Sequence, residues 1–584
     1  MRHHKGWAAV PLLLTVACSP PDGTLELRVV DSKGMATPAR IEIVDDEGRN
    51  HVAADALEIR TECATPPLPD WASAVQNALH RQQSIDSPYS GTTQFYTDGD
   101  TRTSLPAGRY RIVARKGIEY RTSSREFEVA GGETTRVSLA LERWIDMPRL
   151  GWYSADDHIH VTRHTPADNA SIGKWMRAED VHVANLLRMG TAEHFAITPQ
   201  YAFGDAGVYR DGDSMLVSGQ EHPRTHVLGH TIILGAEVAI DRRDSYAVYQ
   251  NFWKEAAQRG GASGYAHWGT GQARDGLAVD APSGLLSFVE VLQFDFPYYE
   301  IWYELLNLGI RLAPTAGTDF PCIPSIPGRE RFYTKIDGVP DRGNWVEGLR
   351  RGRTFVTNGP MLEFEVGGAG IGDELRIESP SVLRIRGRVR FDPARDDVQA
   401  LELIRDGQRV AVASERSAPG EIVLEIDETV DGPAWFALRA SGDKIGETRL
   451  ETPWFMGPRA IELGCKFGCG ASLSERVDYV GTGRPRPSAA HTAPIYVAVA
   501  DTQASRPTEL LRRWISRLDA LEASLSDEHF EELLVFRPFA SRLLIDGVPA
   551  EALRRDRPAL RALIASARGY YRNLLAGPGA ESGG

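Results

Sequence analysis

The chain has 584 residues, and 66 lysines and arginines against 79 aspartates and glutamates give it a formal net charge of −13. Hydrophobic residues at 42% and charged residues at 25% are ordinary for a folded globular protein and exclude disorder as the main state. The negative charge excludes a basic surface spread over the whole molecule, so no nucleic-acid partner is expected.

Residues 1–18 have the layout of a secretory signal peptide. A short positive region precedes an apolar run from Trp7 to Ala17 that is too short for a mature membrane span. The small residues before Cys18 resemble a bacterial lipoprotein signal, in which that cysteine carries the lipid; the alternative is an ordinary signal with an incidental cysteine. A lipid anchor at Cys18 would make the membrane a partner and place the exported protein in the cell envelope, at the outer membrane or facing the periplasm.

Four further cysteines remain, and an exported chain can keep disulfides. Four cysteines allow three pairings, and the sequence does not choose between them. The spacing of Cys465 and Cys469 suits a local bridge, whereas Cys322 lies close to a candidate site aspartate and could be a free thiol. The four are Cys63, Cys322, Cys465 and Cys469.

The segment 24–145 shows the period-two alternation of β-strands, as in Leu25, Leu27 and Val29. Turn signals separate these runs, and the stretch 103–110 resembles the carboxypeptidase-regulatory, transthyretin-like β-sandwich. We therefore expect a β-sandwich of that kind at this end of the chain.

In the segment 150–360, short apolar runs alternate with helical stretches, which predicts a parallel α/β barrel or a doubly wound sheet. Residues 361–455 return to β alternation and residues 456–500 are rich in glycine and proline, so a β-rich domain is expected over residues 361–500. Residues 505–575 follow helical spacing and predict a packed helical hairpin.

Nine of the 15 histidines fall between residues 151 and 320, which places the chemistry in the α/β segment. His158 and His160 are two residues apart at the end of an apolar run, so an extended strand turns both imidazoles to one side. Asp156 shares that side and could orient a ligand histidine. Four more candidate metal ligands stand beside further apolar runs, where strand ends gather at the carboxyl edge of a parallel sheet. They are Glu221, His230, His267 and Asp319.

The motifs Asp-x-His-x-His, Gly-Gln-Glu, Gly-His, Ala-His and Gly-Thr-Asp, in this order, resemble the PHP (polymerase and histidinol phosphatase) superfamily. The stretches 352–360 and 490–497 resemble in particular its CehA/McbA-type metallohydrolases. The resemblance covers about residues 150–500. It implies a multidomain protein whose central domain is a distorted (β/α)7 barrel that binds metal at its carboxyl face.

Two departures from the superfamily pattern limit the number of metal ions. Asn185 lies in a stretch where many PHP proteins have a Thr-Asp-His motif, and Asp319-Phe320-Pro321 lacks the histidine that often follows the aspartate. Both losses argue against a trinuclear site and fit one or two divalent ions. Imidazole and carboxylate ligands suit zinc, manganese or iron.

Catalytic roles follow from this ligand set as expectations. Glu221 and Asp319 would be ligands, Asp319 could take the proton of the attacking water, and His226 could aid the leaving group. Arg329 and Arg331 could hold an anionic group or a developing oxyanion, although exposed loop arginines are an equally good interpretation. Trp268 replaces a proline that is common in the superfamily, so it could wall the substrate pocket.

The sequence therefore predicts an enzyme, a metal-dependent hydrolase that uses a metal-activated water on an ester, amide, carbamate or phosphoester bond of a small molecule or polymer. One alternative is an inactive surface lipoprotein that binds metal or glycan. Another is a carbohydrate-active enzyme with paired carboxylates, whose activity would survive a chelator.

Overall fold

A computed structural model describes twelve stretches of the chain. They are residues 21–61, 81–87, 90–190, 198–225, 227–267, 271–293, 296–297, 299–321, 325–442, 488–502, 506–531 and 550–576. Several predictions concern residues outside these stretches and stay predictions. They concern the signal segment 1–18, His194, His226, Trp268 and all five cysteines. Among the described helices, none combines the length and the apolar character that a bilayer crossing requires.

The first part of the structure consists of β-strands, and two of its sheets enclose one apolar core, while β3 and β4 form a separate pair. A three-stranded sheet in the order β10-β1-β7 faces a five-stranded sheet in the order β5-β6-β2-β8-β9. Leu25, Leu27 and Val29 alternate with more exposed residues and are buried in this core. The strands are β1 (Gly23–Val30), β2 (Ala39–Asp45), β3 (Ile59–Arg60), β4 (Arg81–Gln82), β5 (Ser84–Asp86), β6 (Thr93–Thr97), β7 (Asp100–Leu105), β8 (Gly108–Arg115), β9 (Ser123–Val129) and β10 (Thr134–Ala140).

The central part carries most of the histidines and combines strands with five helices in the described ranges. Its strands are β11 (Trp152–Ile159), β12 (Val183–Met189), β13 (Tyr209–Asp211), β14 (Ser214–Thr225), β15 (Gly229–Leu234), β16 (Ala262–Tyr265), β17 (Phe288–Gln293), β18 (Phe296–Pro297), β19 (Ala313–Ala316), β20 (Arg331–Lys335) and β21 (Thr354–Thr357). Its helices are α1 (Asn169–Ala178), α2 (Tyr249–Gln258), α3 (Gly271–Asp280), α4 (Tyr299–Asn307) and α5 (Arg342–Arg350).

The expected central (β/α)7 barrel is wrong. Strands make up 42% and helices 24% of the structure, and the central strands form a curled half-barrel sheet. The pairs β11–β12, β12–β14, β16–β17 and β17–β19 are parallel. The pairs β14–β15, β15–β16 and β11–β20 are antiparallel, which a barrel of seven parallel strands does not allow.

The physical reason is the way in which the strands are connected. Strand β14 ends at Thr225 and β15 starts at Gly229, and so short a link permits only an antiparallel hairpin. A parallel pair requires a crossover of a dozen or more residues, usually through a helix. The alternation of apolar runs predicts where strands lie but not their directions, so it does not distinguish this mixed sheet from a parallel one.

The mixed sheet continues into the third part of the chain. Among the described residues it reaches 17 strands, passing through β21 and β31 to β30 and β26. A five-stranded sheet in the order β23-β22-β25-β29-β28 faces it over a second apolar core. The strands are β22 (Met361–Val366), β23 (Ala369–Gly370), β24 (Glu374–Ile377), β25 (Ser381–Arg390), β26 (Ala400–Arg405), β27 (Gln408–Ala413), β28 (Arg416–Ala418), β29 (Glu421–Val430), β30 (Ala434–Ser441), β31 (Ala489–Thr492) and β32 (Ile495–Val499).

Two helices follow, α6 (Thr508–Ser524) and α7 (Ala550–Ala576), and both pack on the central part. Leu511, Trp514 and Leu518 are buried in the same apolar cluster as Phe252 of α2. This cluster is the largest core of the molecule, and it supports the strands that carry the candidate site.

Asp280, at the end of α3, gives this core a testable pH dependence. Its carboxyl accepts hydrogen bonds from Gln250 Nε2 at 3.0 Å and Tyr265 Oη at 2.9 Å, and burial raises its pKa to about 7. Because the folded pKa exceeds the unfolded one, this carboxyl stabilises the fold fully below pH about 4 and loses that contribution as the pH rises to about 7. The loss amounts to about 4 kcal/mol.

We therefore expect Asp280→Asn, which resembles the protonated acid, to gain stability over the wild type as the pH rises from 5 to 8. Urea unfolding midpoints at several pH values measure the difference. Asp46→Asn, at an exposed aspartate, is the control and should leave the pH profile unchanged. A constant difference between Asp280→Asn and the wild type over this range would contradict the expectation.

Candidate metal centre

The six predicted metal ligands lie together at one edge of the half-barrel sheet. The parallel strands β11, β16 and β19 end at this edge, and the β14–β15 hairpin turns there. His158 is in β11, while His160, His267 and Asp319 follow the ends of their strands. Strands far apart in the sequence therefore deliver their side chains to one point, even though the sheet is mixed.

His158, His160, Glu221 and Asp319 form the first group of candidate ligands. His160 Nε2 lies 3.3 Å from Glu221 Oε2 and 3.2 Å from Asp319 Oδ1. His158 Nε2 lies 3.8 and 3.5 Å from the same two oxygens. Both imidazoles are fully buried, and within the described residues neither Nε2 atom has a hydrogen-bond partner of acceptable geometry.

Glu221, His230 and His267 form the second group. His230 Nδ1 lies 2.8 Å from Glu221 Oε1 and 2.9 Å from His267 Nε2. His267 Nε2 lies 3.4 Å from the same Glu221 oxygen. Glu221 thus turns Oε2 to the first group and Oε1 to the second, so one carboxylate connects both groups.

These distances fit a metal ion. Two donors that are each about 2.0–2.1 Å from a tetrahedral zinc ion lie roughly 3.3 Å apart, close to the donor separations in both groups. Buried imidazole nitrogens without partners are unfavourable unless something else satisfies them. The chain therefore contains buried histidine and glutamate groups that could hold a metal ion.

The imidazoles and carboxylates of the first group shift each other's pKa values. Burial lowers the pKa of His158, but Asp319 and Glu290 outweigh it and raise that pKa well above its ordinary value. Burial raises the pKa of Asp319, but His158 and His160 outweigh it and hold that pKa below the ordinary value, so the carboxylate is ionised. A divalent cation would satisfy the same carboxylates in place of the imidazole protons.

The backbone at two of these residues is unusual. His267 has a φ of 27° and Asp319 a φ of 53°, both in the left-handed region that side chains other than glycine rarely adopt. Such conformations cost about 1–3 kcal/mol each and persist where the surrounding structure holds them. Both side chains point into the site, which is where strain of this kind is usually found.

Asp156 does not contact an imidazole. Its carboxylate accepts hydrogen bonds from Thr318 Oγ1 at 2.6 Å and from the backbone N–H groups of His158 and Gly328 at 3.0 and 2.8 Å. Asp156 therefore ties β11 to the loop that carries Asp319. Glu290 takes the role expected of Asp156, because its Oε1 lies 3.3 Å from His158 Nδ1.

Arg331 is not placed to bind substrate. It is fully buried, and its Nη1 and Nη2 donate to the carbonyl oxygens of Asp180 and Glu179 at 3.0 and 2.8 Å, while Nε donates to Gly328. The guanidinium joins the loop after Asp319 to the turn after α1. Arg329 is half-buried and donates from Nη1 to the carbonyl oxygen of Asn358 at 3.2 Å.

The remaining described histidines of this region lie apart from both groups. His222 is fully buried beside Gln220 and the Ile240 carbonyl, and burial, reinforced by Arg188, lowers its pKa to about 3. His182 Nδ1 lies 2.8 Å from Ser154 Oγ, near the start of β11. His164 is exposed before α1.

Sequence reasoning missed three residues that contact the ligands: Arg224, Glu290 and Gln293. Arg224 Nη1 donates to Glu221 Oε2 at 2.6 Å. Glu290 and Gln293 contact the Nδ1 sides of His158 and His267. An acidic residue within the apolar run Phe288–Leu292 is a signal that could have identified Glu290, because a buried charge requires a partner.

Comparisons with known proteins identify no family. No family model matches the chain, and no curated protein matches it. Among solved structures, the chain is similar to GBS52, the minor pilin of Streptococcus agalactiae, with 14% identity and a TM-score of 0.14 over 22% of this chain and 47% of that one. It is also similar to the Bacillus anthracis TIE protein, with 10% identity and a TM-score of 0.13 over 72% of this chain and 45% of that one. In both cases the match spans less than half of the other chain's length.

Proposed function

We propose that this protein is a metal-dependent hydrolase related to the CehA/McbA-type enzymes of the PHP superfamily. The observation that carries the proposal is the pair of buried Nε2 atoms of His158 and His160, which face the carboxylates of Glu221 and Asp319 without hydrogen-bond partners among the described residues. The resemblance to the superfamily lies in the order of the ligand motifs along the chain, and it does not extend to the barrel fold.

Two ions suit the ligand groups better than one. Glu221 offers a separate oxygen to each group, so it would contribute one ligand atom to each of two ions. The first group has four protein ligands, whereas the second has three. Sites with three protein ligands leave a position for water or substrate, as catalytic sites do.

Exposure indicates the side from which a substrate would approach. The side chains of His158 and His160 are 0% exposed, whereas those of His230, Asp319 and His267 are 17%, 12% and 10% exposed. The open side of the site therefore lies between the second group and Asp319. A substrate bond placed there would meet the ionised Asp319 carboxylate.

A bound divalent ion would act as a Lewis acid and lower the pKa of a coordinated water toward about 7. The Asp319 carboxylate, which lies at the edge of the ligand groups with its side chain 12% exposed, could accept the proton that the attacking water loses. Arg224 balances part of the negative charge on Glu221, to which it donates a hydrogen bond. These roles suit hydrolysis of an ester, amide, carbamate or phosphoester bond.

The full chain should hydrolyse at least one substrate of a panel comprising an aryl ester, an anilide, an aryl carbamate and an aryl phosphodiester. We expect treatment with a chelator to abolish this hydrolysis and zinc, manganese or iron(II) to restore it. Product absorbance and the metal content of the same samples measure both effects. His529→Ala, at an exposed histidine of the C-terminal part, is the matched control and should behave as the wild type.

Hydrolysis that persists after the metal content reaches zero would contradict the proposal. Metal binding without hydrolysis of any substrate would favour a metal-binding surface protein.

A further inference from the structure

Two side chains from one strand lie behind the imidazoles of both ligand groups. Glu290 and Gln293 stand on β17, and both are fully buried. Gln293 Oε1 lies 2.8 Å from His267 Nδ1, and its Nε2 lies 3.4 Å from His158 Nδ1. The rings of His158 and His267 are stacked, with centroids 5.0 Å apart. The amide of Gln293 therefore contacts the Nδ1 atoms of one ring from each ligand group.

The side of the ring that an acceptor occupies decides which nitrogen can bind a metal. A neutral imidazole carries one proton, and the nitrogen without it offers the lone pair. An acceptor at Nδ1 holds the proton there and leaves Nε2 for a ligand bond. In His267, Nε2 is the atom that faces Glu221 Oε1 and His230 Nδ1.

His267 is also held through its backbone. Its N–H donates to Glu290 Oε2 at 2.8 Å, and its φ of 27° is a conformation that needs such support. The ring and the backbone of His267 are therefore both attached to β17.

We infer that Gln293 is a positioning residue for this site. Its Oε1 accepts the Nδ1 proton of His267 and so directs Nε2 of that ring to the group formed with Glu221 and His230. The inference rests on the proposed function, because it assigns a role within the proposed metal site.

The test compares Gln293→Met with Gln293→Glu in the full chain. Methionine keeps the length of the side chain and removes the acceptor, whereas glutamate keeps an acceptor oxygen. We expect Gln293→Met to weaken binding of one of two cobalt(II) ions roughly 10- to 100-fold and to change its visible absorption bands. Gln293→Glu should keep both ions and show wild-type bands, because its carboxylate oxygen can accept the same proton.

Circular dichroism and the unfolding midpoint of the metal-free variants serve to detect a folding defect. If Gln293→Met does not fold, Gln293→Asn replaces it, because its shorter amide cannot reach His267 Nδ1. Wild-type affinity and bands in a folded variant without the acceptor would overturn the inference, as would equal losses in the methionine and glutamate variants. A wild-type chain that binds no cobalt(II) would instead refute the proposed function.

Discussion

Glu221→Ala is expected to remove both metal ions at once, whereas substitutions of other ligands should remove one. Glu221 is the one described side chain that offers an oxygen to each ligand group. Its loss should lower the affinity of both sites more than about 100-fold, since ligands matter more than the outer contacts whose loss costs 10- to 100-fold. Hydrolysis should fall to the level of the chelated protein.

The stoichiometry of ligand variants makes this prediction specific. His160→Ala affects the first group and His230→Ala the second, so each should retain one ion, while Glu221→Ala retains none. Elemental analysis after gel filtration at a fixed metal concentration measures the number of ions per chain. If Glu221→Ala keeps one ion, the two groups do not share this carboxylate, and full occupancy in all three variants would show that the site is wrongly placed.

Arg331→Met is expected to destabilise the fold rather than weaken substrate binding. The guanidinium satisfies three carbonyl oxygens in the interior, those of Glu179, Asp180 and Gly328. The Asp180 carbonyl keeps a hydrogen bond from Ser154 Oγ at 2.9 Å, so the substitution removes the partner of two buried acceptors, those of Glu179 and Gly328. Each such acceptor costs about 1–3 kcal/mol, so the loss should reach about 2 kcal/mol or more. Guanidinium chloride unfolding measures this change.

Arg376→Met is the matched control, since the side chain of Arg376 is 83% exposed and should tolerate the change. A substrate-binding arginine behaves differently: its loss raises KM and leaves the unfolding midpoint in place. An Arg331→Met protein with wild-type stability and a raised KM would restore the interpretation made from the sequence.

The ligand set was accessible from the sequence because each ligand stands beside a short apolar run. His158 and His160 lie two residues apart where β11 ends, a spacing that predicts that both imidazoles face one side, and the structure brings both to the same carboxylates. Glu221 was expected at a strand end, but β14 continues to Thr225 and its register shifts between Glu221 and Arg224. Glu221 reaches the site because it lies next to this register shift, close to the β14–β15 hairpin.

The fold was less accessible because apolar periodicity carries no direction. The apolar runs Met215–Val217 and Thr231–Leu234 predict strands, and the structure has β14 and β15 there. The two strands are antiparallel because the link between them is short, and this is a property of the connection and not of the runs. The sequence does not indicate the role of Gln293, because a neutral amide at the end of an apolar strand does not predict contacts with histidines on other strands.

The site also links the chemistry to the stability of the molecule. Its ligands come from strands that begin with β11 and end beyond β19, and β11 itself pairs with β20. An ion that binds to this site binds the folded chain and not the unfolded one, so its binding raises the free energy of unfolding. At a free metal concentration about 1,000 times the dissociation constant, the contribution is about 4 kcal/mol. The thermal unfolding midpoint would then depend on the metal supply, and proteases would remove chains without bound ions first.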